Sequence, residues 1–249
     1  MPSQLGVGSE FVGHRPYAPG DDLRALDWDL LARSSRPWVR VARREAGERW
    51  LVRLDASASM GVGPPGKLQR AAEVAAGIAV WGSRSGAAVC VSVAGGEGGP
   101  REFRVRRRSE IAGLLAFLGR LRAGGGSGAL PPARALAHVS RVFVVGDLRD
   151  LRPELVLPLR GRGRSLSLIQ ILAPLEVAPA PGGSVEWWDP ERGGRVSLAL
   201  DPALVAAYER ELEREVEAWR EIAARHGVPF GCFLSDRTFE EILERSRPA

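Results

Sequence analysis

Leu51-Val52-Arg53-Leu54-Asp55-Ala56-Ser57-Ala58-Ser59-Met60 is the stretch on which the reading of this chain turns. It begins as a short apolar strand and stops on Asp55, Ser57 and Ser59, three hard oxygen donors at alternate positions. A loop containing Gly61, Gly63, Pro64, Pro65 and Gly66 follows, and a helical pattern starts at about Lys67. An acid and two hydroxyls just past the carboxyl end of a strand stand where open α/β sheets bind their ligands. Such oxygens suit Mg²⁺, which keeps several waters and uses few protein carboxylates. The stretch points to a divalent-cation site in a binding module, ahead of an enzyme.

Downstream, strand and helix patterns alternate. Residues 50–55 give the first central strand. Residues 68–81 give a helix rich in small side chains (Ala71, Ala72, Ala75, Ala76, Gly77, Ala79), which permits close approach to a sheet. Residues 87–94 are nearly all apolar, as a strand covered on both faces is. A short edge strand at 102–105 follows a loop. Ser109 is placed to cap a helix with Ile111, Leu114, Leu115 and Leu118 on one face. A helix near 133–139 leads into the strand at 142–146, which ends on Asp147, a second acid at a second strand end. Residues 151–159 read as a short helix limited by Pro153 and Pro158. A strand at 166–172, a hairpin at 185–189 and 195–200, and a long helix at 204–226 come next. A strand at 229–233 and a helix at 238–245 close the chain. The expected fold is α/β: a doubly wound, mainly parallel sheet with an N-terminal elaboration and a small β-hairpin insertion.

The expected division is an N-terminal segment, 1–47, packed on a main domain, 48–249. Residues 9–22 are turn-rich. Residues 23–33 carry apolar side chains at Leu23, Leu26, Leu30 and Leu31, a helical spacing, with Asp21 or Asp22 at the cap. Trp38-Val39-Arg40-Val41 alternates like a strand. Asp27, Asp29 and Arg33 read first as an ion-paired helix surface.

Composition narrows the class. A hydrophobic content of 45% supports a real core. Cys90 and Cys232 lie in apolar runs and read as buried thiols in a reducing compartment. No stretch approaches the roughly 20 apolar residues of a membrane helix, and residues 1–10 lack the apolar core of a signal peptide, so a cytoplasmic protein without direct membrane insertion is expected. The net charge of +5 comes almost wholly from arginine, Lys67 being the only lysine. The densest basic run, Arg104-Val105-Arg106-Arg107-Arg108, suits a charged sheet edge. It has no interleaved aromatic platform for single strands, and no nucleic-acid partner is expected.

The loop Ala123-Gly124-Gly125-Gly126-Ser127-Gly128-Ala129-Leu130-Pro131-Pro132 sets four glycines around one serine, which lets that hydroxyl approach a ligand closely. Asp55-Ala56-Ser57-Ala58-Ser59, a later hydroxyl in a glycine loop and an acid at a further strand end together resemble the von Willebrand factor A domain. The resemblance implies that Asp55, Ser57 and Ser59 share a divalent cation with Asp147, and that Ser127 stands where the family has a threonine. Glu10-Phe11, Arg15-Pro16-Tyr17, Pro19-Gly20-Asp21-Asp22, Arg24, Asp27-Trp28 and Ala32-Arg33 are similar to the segment that precedes an A-type domain in the bacterial family labelled domain of unknown function fifty-eight. Together the two matches cover about residues 9–245. They imply Mg²⁺ or Mn²⁺ as cofactor and a MoxR-type AAA+ ATPase as partner. Arg15, Tyr17, Asp21, Arg24, Asp27, Trp28 and Arg33 are the candidate partner-binding residues.

The expected activity is non-enzymatic: a cation-dependent protein-protein interaction module, an adaptor or co-chaperone, whose ion accepts a carboxylate from a client protein. A metal-independent scaffold binding through the N-terminal segment is one alternative. At the level of the site itself, the alternative is that Asp55 and the serines merely cap the helix near Leu68 and satisfy loop amides, with no metal. A metal-dependent phosphohydrolase is another, with Asp150 as the only nearby second acid. A serine hydrolase is disfavoured, because Ser57 and Ser59 lack the Gly-x-Ser-x-Gly turn.

Overall fold

The computed structural model describes every residue except 1–4, 7–9, 22, 35, 44–46, 180–183, 189–194, 200 and 247–249. It divides into two compact units, Met1–Gly47 and Glu48–Ala249.

In the first unit, strands β1 (Leu5–Gly6), β2 (Glu10–Pro16) and β3 (Trp38–Arg43) form an antiparallel sheet in the order β1-β3-β2. A register shift between Phe11 and Gly13 breaks the period-2 pattern of β2, which is why this strand reads as a turn in the sequence. The expected helix over 23–33 divides in two. Leu23–Ala25 is a 3-10 turn, Leu26 bridges to Val39, and α1 runs over Trp28–Ser34. Its cap is Asp27, whose Oδ1 accepts the Leu30 N–H at 3.0 Å. Asp21 does not cap it, because both its oxygens are taken by Arg15 at 2.6 Å. Asp22 lies outside the described residues.

The second unit is built on a six-stranded sheet. Its strands are β4 (Arg49–Ala56), β5 (Ala88–Gly95), β6 (Arg101–Val105), β7 (Arg141–Gly146), β8 (Ser165–Leu172) and β11 (Phe230–Leu234), in the order β11-β8-β7-β4-β5-β6. All neighbours are parallel except β6, which closes the edge antiparallel to β5. β9 (Ser184–Trp188) and β10 (Arg195–Ala199) make the separate hairpin. Helices α2 (Lys67–Arg84), α3 (Ile111–Leu118), α4 (Pro153–Val156), α5 (Pro174–Val177), α6 (Pro202–Arg225) and α7 (Phe239–Ser246) complete the unit.

The alternation of β4 divides the core. Trp50, Val52 and Leu54 pack with Ala71, Val74, Ala75 and Ile78 of α2, while Leu51 joins Val142, Val144, Leu166, Leu168 and Trp219 on the other face. Each fully buried Val, Leu or Ile among them contributes about 1.5–3 kcal/mol. The chain runs from β4 out to β5, then returns to the other side of β4 for β7. Open α/β sheets bind ligands at such a reversal, beyond the carboxyl ends of the strands, and Asp55 and Asp147 stand at those ends of β4 and β7.

Three local expectations need correction. Ser109 is not the cap before α3; Arg108–Glu110 is a 3-10 turn, and the Glu110 carboxylate accepts the Arg106 and Arg107 N–H groups. The helix expected at 133–139 shrinks to a 3-10 turn, Ala133–Leu136. The short helix α5, begun by Pro174, is absent from the sequence reading. Cys90 and Cys232 are free and half-buried, and burial pushes the Cys232 thiol up to about 11. No helix among the described residues is long and apolar enough to cross a membrane.

Candidate metal site

Asp55 is the penultimate residue of β4, and it is buried. Its Oδ1 accepts the Ser57 N–H at 2.8 Å, which folds the chain back at the strand end. The Ser57 and Ser59 hydroxyls lie 3.1 Å apart, around a 3-10 turn over Ala58–Gly61. Neither Asp55 nor the serines cap α2, whose cap residue is Gly66 without a side-chain cap bond. The helix-cap role is thereby excluded, while the bond from the Ser57 N–H shows Asp55 satisfying an amide of its own loop.

The glycine loop is tied to the same place. Ala58 N–H donates to Gly125 O at 2.8 Å, Gly124 N–H to Ala56 O at 3.0 Å, and Gly96 N–H to Gly124 O at 2.6 Å. From the floor of the site, the buried Arg53 guanidinium donates to Ser127 O at 2.5 Å and Gly128 O at 3.1 Å. Burial lowers the Arg53 pKa, and these carbonyls take the place of water around it. Ser127 is thereby held buried within the loop.

Two glycines make room for this arrangement. Gly146 precedes Asp147, and a Cβ on it would stand 2.5 Å from Asp55 Cβ and 3.2 Å from Asp55 Oδ2. Gly95 has a φ of +72°, and a Cβ there would meet Gly126 O at 2.6 Å and Ser57 N at 2.9 Å. Side chains at either position would drive apart the two segments that carry the oxygens.

Electrostatically, Asp55 is poorly compensated. Burial first, and then the charge of Asp147, push its pKa up to about 6; the hydrogen bonds from Ser57 and the charge of Arg53 offset this only in part. Asp147 is almost fully buried. Its Oδ2 accepts from Lys67 Nζ at 3.1 Å, its Oδ1 lies 3.3 Å from the Arg149 N–H, and its carbonyl accepts from Gln170 Nε2 at 2.8 Å. Lys67 also donates to Glu176 Oε1 at 2.7 Å, and Glu176 Oε2 accepts the Ala173 N–H at 2.8 Å.

Asp55, Ser57 and Ser59 therefore converge, Asp147 acts on Asp55 through its charge, and the loop of Ser127 is bonded to the same turn. Sequence reasoning missed Lys67 and Glu176. Their only signal was Lys67 itself, the one lysine among 35 basic residues. Among the described residues, no three His, Cys, Asp or Glu side chains gather as a metal cluster. A cation here relies on Asp55, hydroxyls and water, and this hard-oxygen set fits Mg²⁺ or Mn²⁺.

The other candidate set lies in the first unit and is largely satisfied internally. Asp27 accepts from Arg40 Nε at 2.8 Å and contacts His14 Nε2 at 2.8 Å; these contacts and the Leu30 N–H hold its pKa well below the usual carboxylate range. Arg15 pairs with Asp21, which is lowered to about 2. Tyr17 is half-buried and Arg33 exposed. The side chain of Arg24 lies outside the description, and Trp28 is 65% exposed.

The sequence matches the family described as "Protein of unknown function DUF58" over residues 13–218. An uncharacterized protein of Mycobacterium tuberculosis (strain ATCC 25618 / H37Rv) is 31% identical over 252 residues, covering 93% of this chain and 76% of that protein. An uncharacterized protein of Mycobacterium bovis gives the same figures, 31% identity with 93% and 76% coverage. Among solved structures, the conserved hypothetical protein BatB from Bacteroides thetaiotaomicron aligns with a TM-score of 0.47 and 17% identity, covering 80% of this chain and 96% of that one. A von Willebrand factor type A structure from Catenulispora acidiphila gives a TM-score of 0.43 and 18% identity, with 83% and 42% coverage. With the family match spanning most of its length and relatives 31% identical over 93% of it, the chain belongs to the DUF58 family.

Proposed function

We propose that this chain is a non-enzymatic, divalent-cation-dependent protein-interaction module. Mg²⁺ or Mn²⁺ is held by Asp55, Ser57 and Ser59, with Ser127 and Asp147 in support, and an open position on the ion accepts an Asp or Glu carboxylate from a client protein. The observation that carries this reading is Asp55: a buried carboxylate beside a second acid, with two hydroxyls at its strand end, whose charge Arg53 and the Ser57 hydrogen bonds offset only in part. Few anionic ligands leave a bound ion with residual positive charge, which attracts a carboxylate. A cytoplasmic adaptor or co-chaperone role beside a MoxR-type AAA+ ATPase follows from the family resemblance.

The test is capture of such an ATPase, and of an Asp-containing client peptide, by the immobilised chain with Mn²⁺ and with chelator. Retention in Mn²⁺ that is lost with chelator and in Asp55→Ala supports the reading. Retention indifferent to chelator favours the metal-independent scaffold, for which Leu23 and Trp28, 60% and 65% exposed, are the available apolar contacts.

A further inference from the structure

We propose that Lys67 is the resident cation of this site: its ammonium holds Asp147, with Glu176 behind it, so that a divalent ion keeps Asp55 as its one directly bound carboxylate. This rests on the metal-dependent reading above and specifies how the site is tuned.

The placement of Lys67 is hard to explain as a stability device. It is the only lysine of the chain, 0% exposed, and the first residue of α2. A positive charge at a helix N-terminus opposes the helix dipole. A buried ion pair typically offers no stability over apolar packing, while its desolvation is costly. Arginine supplies the rest of the basic side chains, yet here the compact ammonium stands, 3.1 Å from Asp147 Oδ2 and 2.7 Å from Glu176 Oε1. A planar guanidinium has a larger, fixed fork, whereas an ammonium is a point charge with rotatable donors.

The consequence lies in which acids remain for an ion. Both oxygens of Asp147 face donors, Lys67 Nζ and the Arg149 N–H. Among the described residues Asp55 receives hydrogen bonds from Ser57 alone, and its neighbour Arg53 is turned to the loop carbonyls. The ammonium thus takes one acid of the pair and leaves the other. It also repels an incoming divalent ion, which weakens binding and leaves the ion electropositive and ready for an outside carboxylate. Glu176 fixes the ammonium from behind and links it to the start of α5, through the Ala173 N–H on its other oxygen.

The experiment is Mn²⁺ binding to chelator-stripped protein, followed by electron paramagnetic resonance of the free ion and by water-proton relaxation, in the wild type, Lys67→Met and Lys67→Met/Asp147→Asn. Removing the ammonium releases Asp147 and lifts the repulsion, so Lys67→Met is expected to bind Mn²⁺ at least about tenfold more tightly. The relaxation signal is expected to fall as a water gives way to Asp147, and the double variant to lose the gain. Equal or weaker binding in a folded Lys67→Met, with the wild type still binding, overturns the role of Lys67 and leaves the metal site standing. Binding in Lys67→Met alone means that the ammonium excludes the ion outright, and it overturns both the tuning role and the metal-dependent reading of the natural protein. Silence in both overturns both. If Lys67→Met fails to fold, Glu176→Gln carries the test: it leaves the ammonium to Asp147 alone, so its Mn²⁺ affinity must not exceed the wild type's, and a rise contradicts the proposal.

Discussion

The two groups of buried or half-buried acids in this chain stand in opposite electrostatic states. In the first unit, Asp21 and Asp27 are each met by an arginine and by backbone N–H groups, and both are held below the usual carboxylate range. In the second, Asp55 is buried beside Asp147, and its pKa rises to about 6. The first group is finished as it stands: its charges are balanced, and one of its acids caps a helix. The second is balanced only in part, Lys67 serving Asp147 and Glu176 while Asp55 waits. Uncompensated buried charge concentrates at functional sites, and this difference sets the triad of Asp55, Ser57 and Ser59 apart from the ion pairs of the N-terminal segment.

The sharpest way to break the comparison is to remove one charge from each group in cation-free protein. For Asp55 the folded pKa lies above its ordinary value of 3.8. Its contribution is therefore fully present below pH 3.8 and is lost as pH rises through about 6. A rise from 3.8 to about 6 corresponds to about 3 kcal/mol at neutral pH. Asp55→Asn is expected to recover much of this in urea unfolding at pH 7.5 with chelator, and to flatten the decline between pH 4 and 7. Asp27→Asn is expected to do the reverse and destabilise, because it removes the partner of Arg40 and weakens the cap of α1. Destabilisation by both variants would erase the distinction.

Next in size is Gly146→Ala. Its methyl meets Asp55 Cβ, so both unfolding stability and Mn²⁺ affinity should fall, the former by about 2 kcal/mol, as overpacking does. Arg53→Met strands the Ser127 and Gly128 carbonyls. It is expected to cost about 1–2 kcal/mol and to speed amide exchange in the loop at 124–128. The smallest effect is expected at Asp21, whose pairing with Arg15 is half-exposed. Its pKa is lowered from 3.8 to about 2, so its contribution is present above pH 3.8 and lost as pH falls toward 2. Asp21→Asn should shallow only that acid limb.

The sheet was legible in the sequence because its central strands are largely apolar, and two of them, β4 and β7, carry acids at their carboxyl ends. Asp55, Ser57 and Ser59 were legible because one strand end carries all three within five residues. Lys67 and Glu176 were not, since their partners stand 80 and 109 residues away and no local pattern joins them. Arg53 looked like an ordinary polar alternation, and only the fold turns it inward under the glycine loop. In the first unit, the bulge in β2 and the competition of Arg15 for Asp21 hid a strand and moved a helix cap to Asp27.

What separates the two groups most directly is whether the second takes a cation. Titration calorimetry of Mn²⁺ into chelator-stripped protein, beside Asp55→Ala and Asp27→Ala, decides it. The expected result is one ion bound per chain, abolished in Asp55→Ala and unchanged in Asp27→Ala. No heat and no thermal shift in the wild type, or equal binding in Asp55→Ala, would contradict the metal site.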